Sequence, residues 1–363
     1  MIDLDAVAAL VGDATVVGLG ESLHAVGDFY RLKDRIFRHL VEHCDFRVFA
    51  LEAGFAEGLL VDAWIKGSDD DLDDVLRRGF TYNMGCCEEF VEQLTWMQSW
   101  NESHPDDPVH YAGTDVPGWL ESAHRAFDVV DALLERVDPD APVRGSSDAA
   151  ELAAWLANRE PVYASRSSKL AAASATRAAE TADTLHRILA GARPSDAPTP
   201  RQAIGESFRD MTMAHTVLWL LRVHGPDTRV VFGAHNGHLQ RTSWLRPESL
   251  PAGAYLAHHL GGSYVPIATT FGRAIGFEGE VEDVGVGGLE PVGYGAAPED
   301  TVDHAMSVSG RVVVNLRRES VAGTRMRLQA HSIPVDIGAA FDALVHVDEV
   351  RGFTPRSLER PDG

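Results

Sequence analysis

Residues 15–24 read Thr15-Val16-Val17-Gly18-Leu19-Gly20-Glu21-Ser22-Leu23-His24. The run 15–19 is apolar and β-branched without polar alternation, the pattern of a parallel strand covered on both faces. It breaks at Gly20 into a carboxylate and an imidazole. Three further runs share that pattern, at 47–51, 109–113 and 228–233, and each also stops on polar residues. The second stops at Glu52, the third at Thr114-Asp115, and the fourth at Ala234-His235-Asn236-Gly237-His238. Between the first two, Phe29, Leu32, Ile36, Leu40 and Val41 recur at helical spacing. That makes a β-α-β unit, whose crossover is right-handed. The fold expected is therefore α/β, with a mostly parallel central sheet flanked by helices.

The rest of the chain fits around that sheet. Helices are expected at 55–66, 88–103 and 119–136, and further strands at 263–271, 311–316 and 343–347. The stretch 147–224 is rich in Ala, Arg and Leu and holds no strand pattern; Pro161 and the Pro-rich loop 191–200 punctuate it. It reads as a helical insertion or cap. The chain then divides into 1–146, the first part of the core, the insertion 147–224, and 225–363, the second part. The loop 279–299 has no clear period.

Composition narrows the function. With 54 acidic against 32 basic residues the formal net charge is −22. Such a chain repels nucleic acid phosphates and anionic membranes, so neither is an expected partner, while a neutral or cationic small molecule meets no barrier. Three cysteines, two of them the adjacent Cys86 and Cys87, point to reduced thiols rather than a disulfide framework. The acidic start, Met1-Ile2-Asp3-Leu4-Asp5, lacks the basic residues of a secretory signal. A cytoplasmic location is expected.

Ligands bind at the carboxyl ends of parallel strands, where loops leave a rigid scaffold. Parallel pairing would bring Glu21, His24, Glu52, Asp115, His235 and His238 to one rim, although up to two hundred residues separate them. Singly, each has a plainer reading. Glu21 would serve as a helix-start anion, Asp115 as a turn residue before Val116-Pro117, and the histidines as backbone partners around Gly237. Together they suit hydrolysis. Imidazole titrates near neutrality and can take a proton from water, a neighbouring carboxylate fixes its tautomer, and a second histidine or a cation polarises the carbonyl. No Gly-x-Ser-x-Gly elbow is present, so a serine mechanism has no support. Leu23 stands where a dinucleotide fingerprint needs its third glycine. The same five Glu and His residues also suit a metal, and spacing alone leaves that alternative open.

The stretches Val17-Gly18-Leu19-Gly20-Glu21-Ser22-Leu23-His24, Phe49-Ala50-Leu51-Glu52-Ala53-Gly54-Phe55-Ala56-Glu57-Gly58, Gly113-Thr114-Asp115-Val116-Pro117 and Ala234-His235-Asn236-Gly237-His238-Leu239-Gln240 resemble the erythromycin esterase family. Those enzymes open macrolide lactones by hydrolysis. The resemblance implies catalytic roles for Glu21, His24, Glu52, His235 and His238, with His24 as the general base, and a reaction that needs neither metal nor other cofactor. Where a family member carries an active-site arginine, nine residues after the motif histidine, this chain carries Lys33, beside the apolar face of the helix. The resemblance thus implies an esterase or lactonase, in the sense of macrolide resistance, with Lys33 and Asp115 meeting the substrate. The alternatives are a metal-dependent hydrolase, a non-hydrolytic cyclase or dehydratase built on the same residues, and a binder that sequesters an antibiotic.

Overall fold

The computed structural model describes residues 2–81, 84–115, 205–243, 250–275, 295–329 and 331–356. Its seven-stranded sheet has the order β3-β2-β4-β1-β5-β9-β6. The strands are β1 (Val16–Glu21), β2 (Phe46–Gly54), β3 (His110–Asp115), β4 (Arg229–His235), β5 (Tyr264–Ile275), β6 (Val313–Asn315) and β9 (Ala343–Arg351). All neighbours pair in parallel except β6, which runs antiparallel to β9 at the edge. A small antiparallel hairpin, β7 (Arg325–Leu328) with β8 (His331–Pro334), stands beside it. The expected strand at 311–316 is thus only a short edge strand, and sequence reading did not anticipate the hairpin.

Alternate residues of the central strands enter two different cores, which is why their sequences are apolar throughout. Val17, Phe49 and Val231 face one cluster, which holds Val7 and Leu10 of α1 (Leu4–Val11), Phe37 and Leu40 of α2 (Gly27–Cys44), Val61 and Trp64 of α3 (Phe55–Ile65), Leu76 of α4 (Leu72–Arg78), and Leu94 and Met97 of α5 (Glu88–Ser103). Val16, Val48, Val230 and Phe232 face the other. There they meet Met213 and Val217 of α6 (Gly205–Val223), Leu239 of α7 (Asn236–Leu239), Leu256 of α8 (Ala252–Leu260), Met306 of α9 (Val302–Ser309) and Ala340 of α10 (Ile337–Ala340).

The expected helices at 55–66 and 88–103 are α3 and α5. The helix at 119–136, the insertion up to 204 and most of the loop 279–299 lie outside the described residues, and α6 is the described end of the 147–224 stretch. Among the described residues no helix is long and apolar enough to cross a membrane.

Two close approaches fix the rim. Asn236, the first residue of α7, behaves as a strand residue: Nδ2 donates to the Thr269 carbonyl at 2.8 Å and Oδ1 accepts from the Thr269 N–H at 3.2 Å. That side chain passes so close to β1 that a Cβ on Gly20 would lie 1.9 Å from its Oδ1. Between α3 and β3, a Cβ on Gly58 would lie 2.5 Å from the Gly113 nitrogen, so only glycine lets that helix settle on the sheet.

Candidate active site

Strand register brings the expected residues together. Glu21 and His235 are direct partners across β1 and β4, and Leu51 pairs with Gly233 one strand over. On the other flank of β2 the pairing shifts between Leu51 and Gly54, an irregularity that encloses Glu52. Irregularities of this kind re-aim a side chain at the end of a strand.

The site has two ionic halves. In the first, Glu21 is buried and holds two cations or potential cations. Its Oε1 lies 2.5 Å from His24 Nδ1, and its Oε2 accepts from Lys33 Nζ at 2.5 Å. Burial would raise the Glu21 pKa, but the Lys33 charge and then His24 outweigh it and bring the carboxyl down to about 2. Lys33 is itself only 3% exposed, on the inward face of α2 between Phe29 and Phe37. The side chain of His24 is 33% exposed, so it meets both the buried carboxylate and the rim. An ionised Glu21 accepts only, so the proton of a neutral His24 sits on Nδ1 and its lone pair on Nε2.

The second half is built around Glu52. Its Oε2 accepts the His235 backbone N–H at 2.8 Å, and its Oε1 accepts from Arg209 Nη2 at 2.7 Å. Arg209 also reaches Asp115, with Nε at 3.0 and 2.9 Å from the two carboxylate oxygens and Nη2 at 2.5 Å. His238 Nδ1 faces Asp210 Oδ1 at 2.7 Å, and Asp210 also accepts the Ala252 N–H at 2.8 Å. Burial opposes the charged form of His238, but Asp210 and then Glu52 overcome it and carry the imidazole up to about 10. Burial would likewise raise Glu52, yet the charges of His238 and Arg209 hold it well below the ordinary carboxylate range.

The Nε2 of His238 has two alternatives. Arg209 Nη1 lies 2.8 Å away, a contact that becomes a hydrogen bond only to an unprotonated Nε2, whereas a protonated one donates to Glu52 Oε1 at 3.3 Å. The two carboxylates favour the second arrangement, and in both the Nδ1 proton faces Asp210.

His235 lies between the halves. Its ring centroid is 4.8 Å from that of His24 and 6.4 Å from that of His238. Nδ1 accepts the Gly237 N–H and so caps α7, which leaves the proton of the neutral ring on Nε2. Burial, with the nearby His24 charge, pushes His235 down to about 3, so the ring is neutral at physiological pH. Its Nε2 is buried and has no hydrogen-bond partner among the described residues. A buried N–H without an acceptor costs free energy comparable to a lost hydrogen bond, which a carbonyl oxygen reaching it would restore.

Every residue singled out from sequence therefore lies in this cluster. Lys33 and Asp115 form its buried back, each against a counter-ion. Sequence reading missed Arg209 and Asp210. A signal for them exists: on α6 Arg209 falls four residues before Met213 and Asp210 four before Ala214, on the same inward face. No group of three or more His, Cys, Asp or Glu side chains is arranged to hold a metal ion among the described residues. The carboxylates turn instead toward Lys33 and Arg209.

The family model "Erythromycin esterase" matches residues 41–350. It thus covers Glu52, His235 and His238 and begins after Glu21 and His24. An Escherichia coli protein described as erythromycin esterase type II is 26% identical over 298 residues, 72% of this chain and 70% of its own. The type I protein from the same organism is 23% identical over 387 residues, covering 95% of this chain and 93% of its own. The solved structure of a mutant erythromycin esterase in its open conformation superposes with a TM-score of 0.64 at 20% identity, over 98% of this chain and 96% of that one. It shares the fold.

Proposed function

Because the chain belongs to the erythromycin esterase family, we propose that it hydrolyses an ester or lactone of a neutral or cationic natural product such as a macrolide, with His24 as general base. The observation that carries this reading is the 2.5 Å contact of Glu21 with Nδ1 of a histidine that is one-third exposed. A carboxylate there fixes the tautomer and stabilises the imidazolium that forms when Nε2 takes a proton.

Water attacks the carbonyl carbon as His24 Nε2 accepts its proton. The tetrahedral oxyanion accepts from the Nε2–H of His235, the buried donor that has no partner among the described residues. Collapse breaks the bond to the alkoxide, and the proton on His24 passes to it. The positive charge of His238 supports the oxyanion through the electrostatics of the site. Lys33 keeps Glu21 ionised, and Asp115 with Glu52 holds Arg209 in place. No step in this scheme is routed through a metal.

The test is a panel of macrolides and simpler lactones incubated with purified protein and read by mass spectrometry. The expected product is heavier by one water. His24→Ala is expected to lower kcat by roughly 10²–10⁴-fold, the range for loss of a general base. Full turnover by that variant would overturn the assignment. An isomerised or dehydrated product would show acid–base chemistry of another kind, and unchanged recovered ligand would show a binder.

A further inference from the structure

The loop that carries His24 is held by the β7–β8 hairpin. Gln329, just after β7, donates its backbone N–H to the Ser22 carbonyl at 2.8 Å, and its Oε1 accepts the His24 N–H at 3.4 Å. A backbone N–H only donates, so the amide atom facing it is the oxygen, and Nε2 points elsewhere. That Nε2 is buried and has no partner among the described residues.

Backbone conformation singles out the same place. Among the described residues only Ala25, Asp45 and Gln329 are non-glycine residues with positive φ, at 60°, 55° and 54°. Asp45 is the C-cap of α2, where a left-handed residue is ordinary. The other two flank His24, one next to it in sequence and one across the hydrogen bond. A left-handed residue other than glycine persists where its surroundings over-determine it, and such residues gather at functional sites.

The hairpin itself is anchored. Arg327 donates its backbone N–H to Asp303 at 2.9 Å and its guanidinium to the Gly272 carbonyl at 3.2 Å, while Met326 Sδ lies 3.9 Å from Asn236 Nδ2. Strand β7 thus rests on α9, β5 and the start of α7, and its last turn delivers Gln329 to the loop after β1.

We propose that Gln329 is a positioning residue for the general base, its side-chain oxygen and backbone N–H fixing the 22–24 segment so that His24 meets Glu21. The catalytic part of this proposal rests on the hydrolase reading above; the positioning part does not.

Two measurements test it on the full-length protein. Hydrogen–deuterium exchange needs no substrate. In Gln329→Met and Gln329→Gly the His24 amide is expected to exchange at least ~10-fold faster, because no side-chain acceptor remains. Gln329→Glu, which retains the acceptor and loses the donor, is expected to stay within ~3-fold of wild type. The glycine variant also removes the φ penalty at 329, which separates loss of the side-chain acceptor from backbone strain. Turnover of erythromycin is the second arm. Met and Gly variants are expected to lose ~10-fold in kcat with KM within ~2-fold, and Glu to restore most of kcat.

Unchanged exchange at His24 in both the Met and Gly variants overturns the proposal. So does a raised KM with unchanged kcat, which would make Gln329 a substrate contact, or an equal kcat loss in the Glu variant, which would assign the role to Nε2. If wild type leaves erythromycin intact, the choice of substrate fails and the exchange arm decides the proposal alone.

Discussion

Glu21 is a buried carboxylate whose charge depends on two neighbours, Lys33 and His24, at 2.5 Å each. Removing the lysine leaves that charge with only the His24 contact. Lys33→Met is therefore expected to destabilise the protein by about 3–5 kcal/mol, the usual cost of breaking a buried pair, in a urea titration at neutral pH. Acid is expected to act on the same interaction. The folded-state pKa, about 2, lies below the ordinary 4.5, so the pair stabilises the fold above 4.5 and that contribution is lost as pH falls from 4.5 toward 2. Thermal melting across that window is expected to show a steeper loss in wild type than in Glu21→Gln, where no carboxyl titrates. Equal slopes would mean that folding leaves the Glu21 pKa unshifted. Both partners were named from the sequence, Glu21 from its place after an apolar run and Lys33 from the family resemblance, which has an arginine at that position. Their contact was not, because nothing in the spacing says which way a long lysine side chain folds back.

At the scale of elements, α6 supplies what the strands do not. Asp210 reaches from it to His238 Nδ1 and raises that imidazole to about 10, so the charge on His238 is complete at neutral pH and is lost only as pH rises through 10. Asp210→Asn is expected to lower the His238 pKa by more than one unit, measured by NMR titration of the histidine ring resonances. A pKa unmoved by that change would assign the charge to Glu52 alone. Strand β1 and α7 meet through Gly20, where the Asn236 carboxamide occupies the space of a Cβ. Gly20→Ala is expected to expel Asn236 from its pairing with Thr269 and to cost about 1–3 kcal/mol, the range for overpacking a core. A calorimetric scan gives the stability, and His235, one residue before Asn236, makes turnover sensitive to the same change. The helices expected at 55–66 and 88–103 agree with α3 and α5 to within a residue at each end. The β7–β8 hairpin escaped notice because its strands are short and carry Arg, His and Ser, with no apolar run to mark them.

Across the molecule, a strongly acidic composition goes with buried cations at the site. Among the described residues Lys33 and Arg209 are each buried against carboxylates at the site. Glu21 thereby has Lys33 as its counter-ion, Glu52 and Asp115 share Arg209, and Asp210 faces His238. Activity is accordingly expected to survive exhaustive treatment with a chelator, followed by elemental analysis of the same sample; chelator-sensitive turnover together with stoichiometric metal would overturn the metal-free scheme. The four central strands, the mostly parallel sheet and the five Glu and His residues on its rim were all readable from local sequence. That is because buried strands need continuous apolar runs, and the polar residue that ends each run is local to it. The place of β4 between β1 and β2, the completion of the Glu52 half by Arg209 and Asp210, and the contact of Gln329 with the His24 loop came from the folded chain alone. Those facts depend on strand order and on helix and hairpin placement across long sequence separations. Contacts of that range leave no periodic trace in the chain, since they are fixed by how faces pack against one another and not by any neighbour in sequence.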